Sequence, residues 1–285
     1  MPDTPTHEGA RATATPAIEF RKVTRWFQSK PADEPLVAIK GVSLSIAAGE
    51  VVSLIGPSGC GKSTLLNMGA GLFLPNEGEV LVEGVPVRKP NPQVAFMLQK
   101  DLLMPWRTIR QNAELGLQLR GIGAAERRAR AQSLLDRCHL GGFEDHYPHQ
   151  LSGGMRQRAA LARTLVIDPL VLLLDGPFSA IDAQTKMILQ QDLAEMVMAE
   201  KKTALFITHD LVEAVILSDR ILVMSDRPGT IVEEIRIDLP ARDDPLTRRS
   251  MPEITPYVTR LMSLLHISGR APQRPPAATK AGART

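Results

Sequence analysis

The sequence predicts an α/β fold with a parallel sheet, an N-terminal antiparallel β subdomain and an inserted helical subdomain. Three short apolar runs predict strands buried on both faces, namely VVSLIG (51–56), LVLLLD (170–175) and TALFIT (203–208). Residues 18–46 alternate apolar and polar side chains, whereas residues from about 101 to 165 have helical periodicity. Buried strands that alternate with helices are typical of a parallel sheet covered by helices.

The first half of the chain can be assigned in order. The alternating block predicts two antiparallel strands joined by the loop QSKPADEP (28–35). The first buried run ends in glycine, and KSTLLNMGAGL (62–72) follows as a helix that stops at Gly69 and Gly71. QVAFMLQ (93–99) predicts a further short strand.

The second half begins with the helical insert. Its helical segments are NAELGLQLRGI (112–122), AAERRARAQSLLDRC (124–138) and GGMRQRAALARTLVI (153–167). The amphipathic segment KMILQQDLAEMVMAE (186–200) lies between two buried strands, which implies a right-handed parallel crossover. A strand pair, RILVMSD and TIVEEIRIDL, then leads to a helix near ITPYVTRLMSLLH.

Composition and charge limit the possible functions. The 285 residues are 44% hydrophobic and 23% charged, as in globular proteins. Residues 1–17 (net −1) and 268–285 (net +4) are poor in bulky apolar groups and are expected to be flexible tails around a domain at 18–267. Because the total charge is +3, the domain between the tails is electroneutral, and no nucleic-acid partner is expected.

The sequence contains no apolar run of the ~18–20 residues that a membrane-spanning helix needs. Its first residues also lack the hydrophobic stretch of a secretory signal, and the protein is expected to be soluble and cytosolic. The two cysteines, Cys60 and Cys138, fit a reducing compartment. Any membrane association is therefore expected to pass through a partner.

The segment GPSGCGKST (56–64) fits the phosphate-binding pattern G-x-x-x-x-G-K-[ST] between a predicted strand and a predicted helix. Its glycines let consecutive backbone N–H groups turn towards one anion at the helix N-terminus. Lys62 can reach the terminal phosphates, and the Ser63 hydroxyl can bind Mg²⁺. The predicted nucleotide-binding residues of this P-loop are Gly56, Pro57, Ser58, Gly59, Cys60, Gly61, Lys62, Ser63 and Thr64, with Cys60 a permissive position and not a nucleophile.

A metal–phosphate site also needs a carboxylate at the end of a neighbouring strand. Asp175 closes the run LVLLLD and is the natural candidate for binding Mg²⁺. The alternative is that Asp175 only caps the end of its strand. The P-loop upstream favours the metal-binding interpretation, and the whole core is predicted to be that of a P-loop NTPase.

Between these two segments lies LSGGMRQR (151–158), and together with the P-loop it resembles the ATP-binding cassette (ABC) subunits over roughly residues 18–265. This resemblance implies ATP and Mg²⁺ as cofactors and assembly as a dimer. It assigns Ser152, Gly153 and Gly154 to the signature that reaches the γ-phosphate held by the other subunit. Independently, a serine before two glycines and a helix is an anion cradle without a lysine of its own.

Further family motifs match at single positions. Gln99 matches the glutamine that contributes to the metal site and to catalysis, and SAID (179–182) resembles the D-loop. His209 matches the switch histidine, and as a residue at the end of a parallel strand it is expected at the same sheet edge as Asp175; alone, it could be a structural histidine. Phe27 aligns best with the aromatic that stacks on adenine, with Trp26 as the adjacent alternative.

The stretches DLLMPWRTIRQNAELGLQLRGI (101–122) and DRPGTIVEEIRIDLP (226–240) resemble the cassettes of importers for nitrate, sulfonate and taurine. Such cassettes work with membrane permease subunits and, indirectly, with a periplasmic solute-binding protein. The implied location is peripheral, on the cytoplasmic face of the inner membrane. The surface expected to receive a permease coupling helix is formed by Gln99, Leu102, Leu103, Met104 and Trp106, unless these side chains belong to the core of the helical insert.

Two positions depart from the family pattern. Met155 stands where glutamine is commonest, which family members tolerate. The second departure is Gly176, which follows Asp175 where the family has a glutamate that prepares water for attack. Because glycine cannot act as a base, we predict normal binding of Mg²⁺-ATP but slow hydrolysis, unless Asp182 or Gln99 replaces the missing base.

The signature is intact although glycine stands at position 176. This combination suggests either a homodimer with two impaired sites or a heterodimer in which a second ABC ATPase subunit hydrolyses ATP. The sequence therefore leaves three functions open. The leading one is the ATPase subunit of an importer for a small, anionic solute. The others are a nucleotide-sensing regulatory subunit, favoured only by Gly176, and a soluble ABC protein acting on ribosomes or DNA, which the electroneutral domain disfavours.

Overall fold

The structure is a computed structural model that describes residues 15–28, 30, 34–179 and 181–265. Apart from residues 15–17, the predicted tails at 1–17 and 268–285 lie outside the described residues. Ala17 is buried, and its N–H donates to the carbonyl of Ile46 at 2.9 Å, so the ordered domain begins at or before this residue. No helix in the described part of the chain is long and apolar enough to cross a membrane.

The described residues form ten strands and nine α-helices, and strands alternate with helices from β7 to β9. The strands are β1 (Ile18–Phe27), β2 (Leu36–Ile46), β3 (Val51–Ile55), β4 (Glu77–Val82), β5 (Val85–Pro86), β6 (Val94–Met97), β7 (Val171–Asp175), β8 (Thr203–Ile207), β9 (Arg220–Met224) and β10 (Ile231–Arg236). The helices are α1 (Lys62–Gly69), α2 (Ile109–Ala113), α3 (Leu115–Leu119), α4 (Ala124–Arg137), α5 (Gly153–Leu165), α6 (Ala183–Ala199), α7 (Leu211–Leu217), α8 (Pro245–Ser250) and α9 (Ile254–Leu264).

The larger sheet has the strand order β10-β9-β3-β8-β7-β6, and its central strands pair in parallel. Strands β3 and β8 are buried along their whole length because their predominantly apolar side chains contact helices or the second sheet on both faces. The carboxyl ends of β3, β6, β7 and β8 therefore meet at one edge. The second sheet is antiparallel, with the order β2-β1-β4-β5, as predicted for the N-terminal subdomain.

The core is divided by the parallel sheet. One face packs with α1 against the antiparallel sheet, around Ile18, Phe20 and Leu66. The other face packs against α5 and α6, around Leu172, Leu174 and Phe206. The helical insert continues this second core, since Leu135 of α4 and Ile109 of α2 are fully buried in it.

Some element boundaries differ from those predicted. The segment 112–122, predicted as one helix, is divided between α2 and α3 at Glu114, and the crossover helix α6, between β7 and β8, begins at Ala183 instead of 186. The sequence analysis also missed α8, whose Arg248 is almost fully buried. Its guanidinium donates to the carbonyls of Pro240, Ile216, Ser218 and Leu239, and thereby attaches the C-terminal segment to the core.

Candidate nucleotide site

The P-loop lies between β3 and α1, and its glycines adopt positive φ angles, as expected for a loop that turns its N–H groups towards an anion. Gly59 and Gly61 have φ angles of +77° and +110°, where side chains are strained. A Cβ on Gly61 would lie 2.4 Å from Cγ2 of Ile39 and 2.9 Å from the carbonyl oxygen of Ala38. Glycine is therefore required here both by the backbone and by the close approach of β2.

Lys62 is folded back onto this loop. Its side chain is buried, and Nζ donates to the carbonyls of Gly56 and Pro57 at 2.8 Å each. The Cys60 sulfur lies 3.7 Å from Nζ and is itself buried, so the thiol is not presented to a ligand. A phosphate that approaches Lys62 has to compete with two carbonyls that already hold the ammonium group.

A cleft of about 340 Å³ opens beside the loop and brings most of the predicted residues together. The predicted residues that line it are Phe27, Ser58, Gly59, Gly61, Lys62, Ser63, Thr64, Gln99, Asp175 and His209. Leu36, Ala38, Gly176, Ile207 and Arg227 complete the lining. Most of these residues follow the carboxyl ends of parallel strands or belong to the turn at the start of α1, which explains why distant motifs meet here.

Three oxygen-bearing side chains that line the cleft form a donor set that suits Mg²⁺. Ser63 lies in the first turn of α1, Asp175 ends β7, and Gln99 follows β6, the strand paired with β7. A hydroxyl, a carboxylate and an amide oxygen are hard oxygen ligands, which Mg²⁺ prefers. These three residues line the same cleft as Lys62, so the arrangement fits a metal bound next to a phosphate.

Gly176 is buried and has φ +58°, in the left-handed region. A Cβ there would lie 3.4 Å from Oγ of Ser179 and 3.5 Å from Cγ of Gln99, which is ordinary contact. The Ser179 hydroxyl donates to the Gly176 carbonyl at 2.9 Å and stabilises this turn. The position thus has room for a side chain, at a backbone cost typical of non-glycine residues in this region.

His209 is exposed at the end of β8, and its ring makes no hydrogen bond to any described residue. The next residue, Asp210, caps α7 and pairs with Lys186 of α6 at 2.8 Å. Burial favours a higher pKa for Asp210, but the hydrogen bonds and the charge of Lys186 outweigh it and the net pKa is lowered. Lys186 also pairs with the buried Glu213 at 2.7 Å, so the backbone that carries His209 is tied to α6.

Phe27, and not Trp26, lines the cleft. The Phe27 ring is 38% exposed, and the Arg25 guanidinium lies 4.8 Å from its centroid. Arg25 is itself held by the Leu74 carbonyl at 3.1 Å. The ring is therefore supported by a cation and still has exposed surface for a stacked base.

The signature residues lie outside the lining of this cleft. Ser152 caps α5, where its hydroxyl accepts from the Met155 N–H at 3.2 Å. A Cβ on Gly154 would meet only Ile181, at 3.8 Å, so the fold of a single subunit does not require glycine there. The D-loop prediction at 179–182 is described except for residue 180, and Asp182 caps α6.

Comparison with known proteins decides the family. The family model described as ABC transporter matches residues 39–179. An uncharacterized ABC transporter ATP-binding protein of Methanocaldococcus jannaschii is 46% identical over 228 residues, which cover 80% of this chain and 84% of that protein. The chain belongs to the ABC transporter ATP-binding proteins. The family predicted from the motifs is thus confirmed, and with it the ATPase class of the enzyme.

Two proteins named for taurine import and bicarbonate transport are similar to this ABC subunit. The taurine import ATP-binding protein TauB of Yersinia pestis is 44% identical over 76% of this chain and 82% of its own length. The bicarbonate transport ATP-binding protein CmpC of Synechocystis is 47% identical over 72% of this chain, but only 31% of its own length is covered. Both names agree with the predicted resemblance to importer cassettes.

The solved structure of a dimeric ATP-binding cassette in a post-hydrolysis state, bound to ADP and Pi, superposes with a TM-score of 0.71 at 33% identity. The match covers 77% of this chain and 98% of that cassette. The P-loop NTPase fold class with its two subdomains is therefore confirmed, and nucleotide binding is supported for this ABC subunit.

Sequence reasoning missed four described residues of the cleft, of which Arg227 is the charged one; the others are Leu36, Ala38 and Ile207. Arg227 lines the cleft, and its guanidinium donates to the Gly59 carbonyl of the P-loop. In the sequence, the segment DRPG (226–229) indicates only a resemblance to importer cassettes. No local pattern indicates that a loop 168 residues away contacts the P-loop.

The two aromatic candidates can be separated by measurement. We expect Phe27→Ala to weaken the binding of Mg²⁺-ATP about tenfold, because base–aromatic stacking is typically worth about 1–3 kcal/mol. Binding of Mg²⁺-tripolyphosphate, which has no base, should not change. Trp26→Ala is the matched control and should leave both affinities unaltered. Calorimetric titration of each variant measures this, and equal losses for both ligands would contradict the assignment of Phe27.

Proposed function

We propose that this ABC subunit energises the import of a small, anionic solute through membrane permease subunits, at the cytoplasmic face of the membrane. The observation that carries the proposal is its similarity, at 44% and 47% identity, to proteins named for taurine import and bicarbonate transport. Both solutes carry an acidic group. The choice of solute is expected to lie in the permease and the periplasmic solute-binding protein, so the proposal is limited to this class.

The geometry of the cleft supports a division of roles. The P-loop N–H groups and Lys62 bind the triphosphate, and Phe27 stacks on the base. Ser63, Asp175 and Gln99 would hold Mg²⁺, which neutralises charge on the phosphates. His209 is exposed in the same cleft and would bind the terminal phosphate.

Hydrolysis at this site is proposed to be slow because Gly176 provides no base beside Asp175. The other candidate bases differ in placement. Gln99 lines the cleft but is an amide, and the Asp182 carboxylate accepts from the Thr185 N–H at 2.9 Å as the cap of α6. That hydrogen bond lowers the pKa of Asp182, which makes it a weaker base. The signature at Ser152–Gly154 remains available to a second subunit, in a homodimer or a heterodimer.

The surface predicted to meet a permease is partly exposed. Trp106 is 72% and Leu102 55% exposed, whereas Leu103 is 7% exposed and belongs to the core. The fully buried Asn112 holds this loop, since its Oδ1 accepts from the Met104 N–H at 2.7 Å and its Nδ2 donates to the Met104 carbonyl at 3.2 Å. Leu103 therefore belongs to the core, which is the alternative that the sequence left open for each of these side chains, while Trp106 faces solvent.

Purification from the native host tests the function. An affinity-tagged full-length chain, extracted from detergent-solubilised membranes, should carry a polytopic permease that mass spectrometry identifies. We expect Trp106→Glu to reduce the recovered permease at least tenfold, because a buried interface tryptophan typically contributes more than about 2 kcal/mol. Val232→Glu, which adds the same charge at another exposed apolar position, is the control. Recovery of ribosomes or of no membrane protein would contradict the proposal.

Gly176 favours one second candidate, a nucleotide-sensing subunit that binds ATP but scarcely hydrolyses it. Such a subunit would also bind Mg²⁺-ATP at the cleft. The two functions differ in the assembled complex, where an energising subunit couples turnover to solute. ATP turnover that does not respond to any transported solute would favour the regulatory function.

A further inference from the structure

The loop between β9 and β10 is folded against the P-loop. Residues 225–230 are closed by hydrogen bonds of the Ser225 hydroxyl, which donates to the Asp226 carbonyl at 2.9 Å and accepts from the Thr230 N–H at 3.0 Å. From this closed loop the Arg227 guanidinium reaches Gly59, and its Nε and Nη2 donate to the Gly59 carbonyl at 2.9 and 2.7 Å. Both donors of one edge of the guanidinium thus act on a single carbonyl.

Gly229 allows the loop between β9 and β10 to lie within hydrogen-bond distance of the P-loop. Its N–H donates to the Ala38 carbonyl at 3.0 Å, and its carbonyl accepts from the Lys40 N–H at 3.1 Å, so the loop is attached to β2. A Cβ on Gly229 would lie 2.0 Å from the carbonyl oxygen of Cys60. Only glycine allows this approach, and the approach brings Arg227 to the P-loop.

A loop that binds phosphate has to turn its carbonyl oxygens away from the anion, since a carbonyl oxygen and a phosphate oxygen repel each other. Two cations perform this task here. Lys62 holds the carbonyls of Gly56 and Pro57, and Arg227 holds that of Gly59. The first cation belongs to the P-loop motif, whereas the second comes from a hairpin far away in the sequence.

Nucleotide binding affects the hydrogen bonds of the two cations differently. Lys62 has to give up its carbonyls in order to reach the terminal phosphates. Arg227 is anchored from outside the P-loop and also lines the cleft, so it can keep the Gly59 carbonyl while adding positive charge near the ligand. We propose that Arg227 is a positioning residue that preorganises the P-loop for triphosphate. This role rests on the proposed binding of nucleotide at this cleft.

Calorimetric titration of the full-length chain tests this role with two ligands, Mg²⁺-ATP and Mg²⁺-tripolyphosphate. We expect Arg227→Gln to weaken both about five- to twentyfold, because hydrogen bonds from charged groups to a polar partner are the strong ones. Arg227→Lys keeps the charge but loses the paired donors, and should fall between the wild type and Arg227→Gln. The control is Arg236→Gln, which removes the same charge from an exposed residue of β10 whose side chain makes no hydrogen bond to any described residue.

Each outcome is decisive. An equal loss for both ligands in Arg227→Gln, with partial rescue by lysine and no loss in Arg236→Gln, supports the proposal. A loss for ATP alone would place Arg227 at the base or ribose and overturn it. Unchanged affinities, or the same loss in Arg236→Gln, would also overturn it. If the wild-type chain binds neither ligand, the proposed function fails as well, and that result is distinct from the others.

Discussion

Gly176→Glu is expected to raise the turnover of ATP hydrolysis by about 10²- to 10⁴-fold, the usual contribution of a general base. The carboxylate would stand directly after Asp175, within the cleft that holds Lys62, Gln99 and His209. The contacts that a new Cβ would make, 3.4 Å to Ser179 and 3.5 Å to Gln99, leave the turn sterically possible. Steady-state phosphate release from the purified chain is the measurement.

Residue 176 has a left-handed backbone, so any side chain there adds strain, and the effect of glutamate needs a control variant. At φ +58°, any side chain is expected to lower the free energy of unfolding by about 1 kcal/mol. Gly176→Gln has the same backbone cost and nearly the same shape but no base, so it should remain as slow as the wild type. If the wild type is already fast, or if glutamine accelerates turnover as much as glutamate, then a missing base does not limit this site.

The second prediction concerns the signature serine, Ser152, and its effect on ATP turnover. In the Gly176→Glu chain, adding Ser152→Gly should lower turnover by about 10²-fold, because removing one donor from a developing charge typically costs that much. Glycine is chosen since it replaces serine as a helix cap at a cost of only a few tenths of a kcal/mol. Thr108→Gly removes the comparable cap of α2 and should leave turnover unchanged.

Mixing two inactive chains shows whether the signature of one subunit acts at the nucleotide site of the other. The double variant Gly176→Glu, Ser152→Gly has a base but no signature serine, and the wild-type chain has the serine but no base. Neither should be active alone. Half of the dimers formed at equal amounts are mixed, and each contains one complete site, so about a quarter of the Gly176→Glu activity should return.

The mixing result also separates the assemblies. Recovery of activity requires that this chain forms dimers with itself. If Gly176→Glu is active but mixing restores nothing, the signature of the same subunit completes the site. If the chain stays monomeric and inactive in every combination, the heterodimer with a second ABC ATPase subunit is favoured, and the mass of the complex from the native host identifies that subunit.

Local sequence pattern does not separate the candidate apolar side chains of the two surfaces. Trp26 and Phe27 are adjacent, and Leu103 and Trp106 lie on one short loop, so local pattern could not tell which side chain of the first pair lines the cleft or which of the second pair enters the core. The structure places Phe27 in the nucleotide cleft and Trp106 in solvent. Burial is decided by what packs against each side chain, such as the fully buried Asn112 beneath the loop of Trp106, and this information is not present in neighbouring residues.

The sequence by itself determined the P-loop, the strand that ends in Asp175, the signature and the absence of a carboxylate at Gly176. These features follow from short-range requirements: glycines where the backbone needs positive φ, apolar runs where a strand is buried, and a serine where a helix begins. Only the tertiary structure decided that Arg227 reaches Gly59 and that Gly176 adopts a left-handed backbone. Such contacts join residues that are distant in the chain, and they depend on how two sheets and their loops pack together.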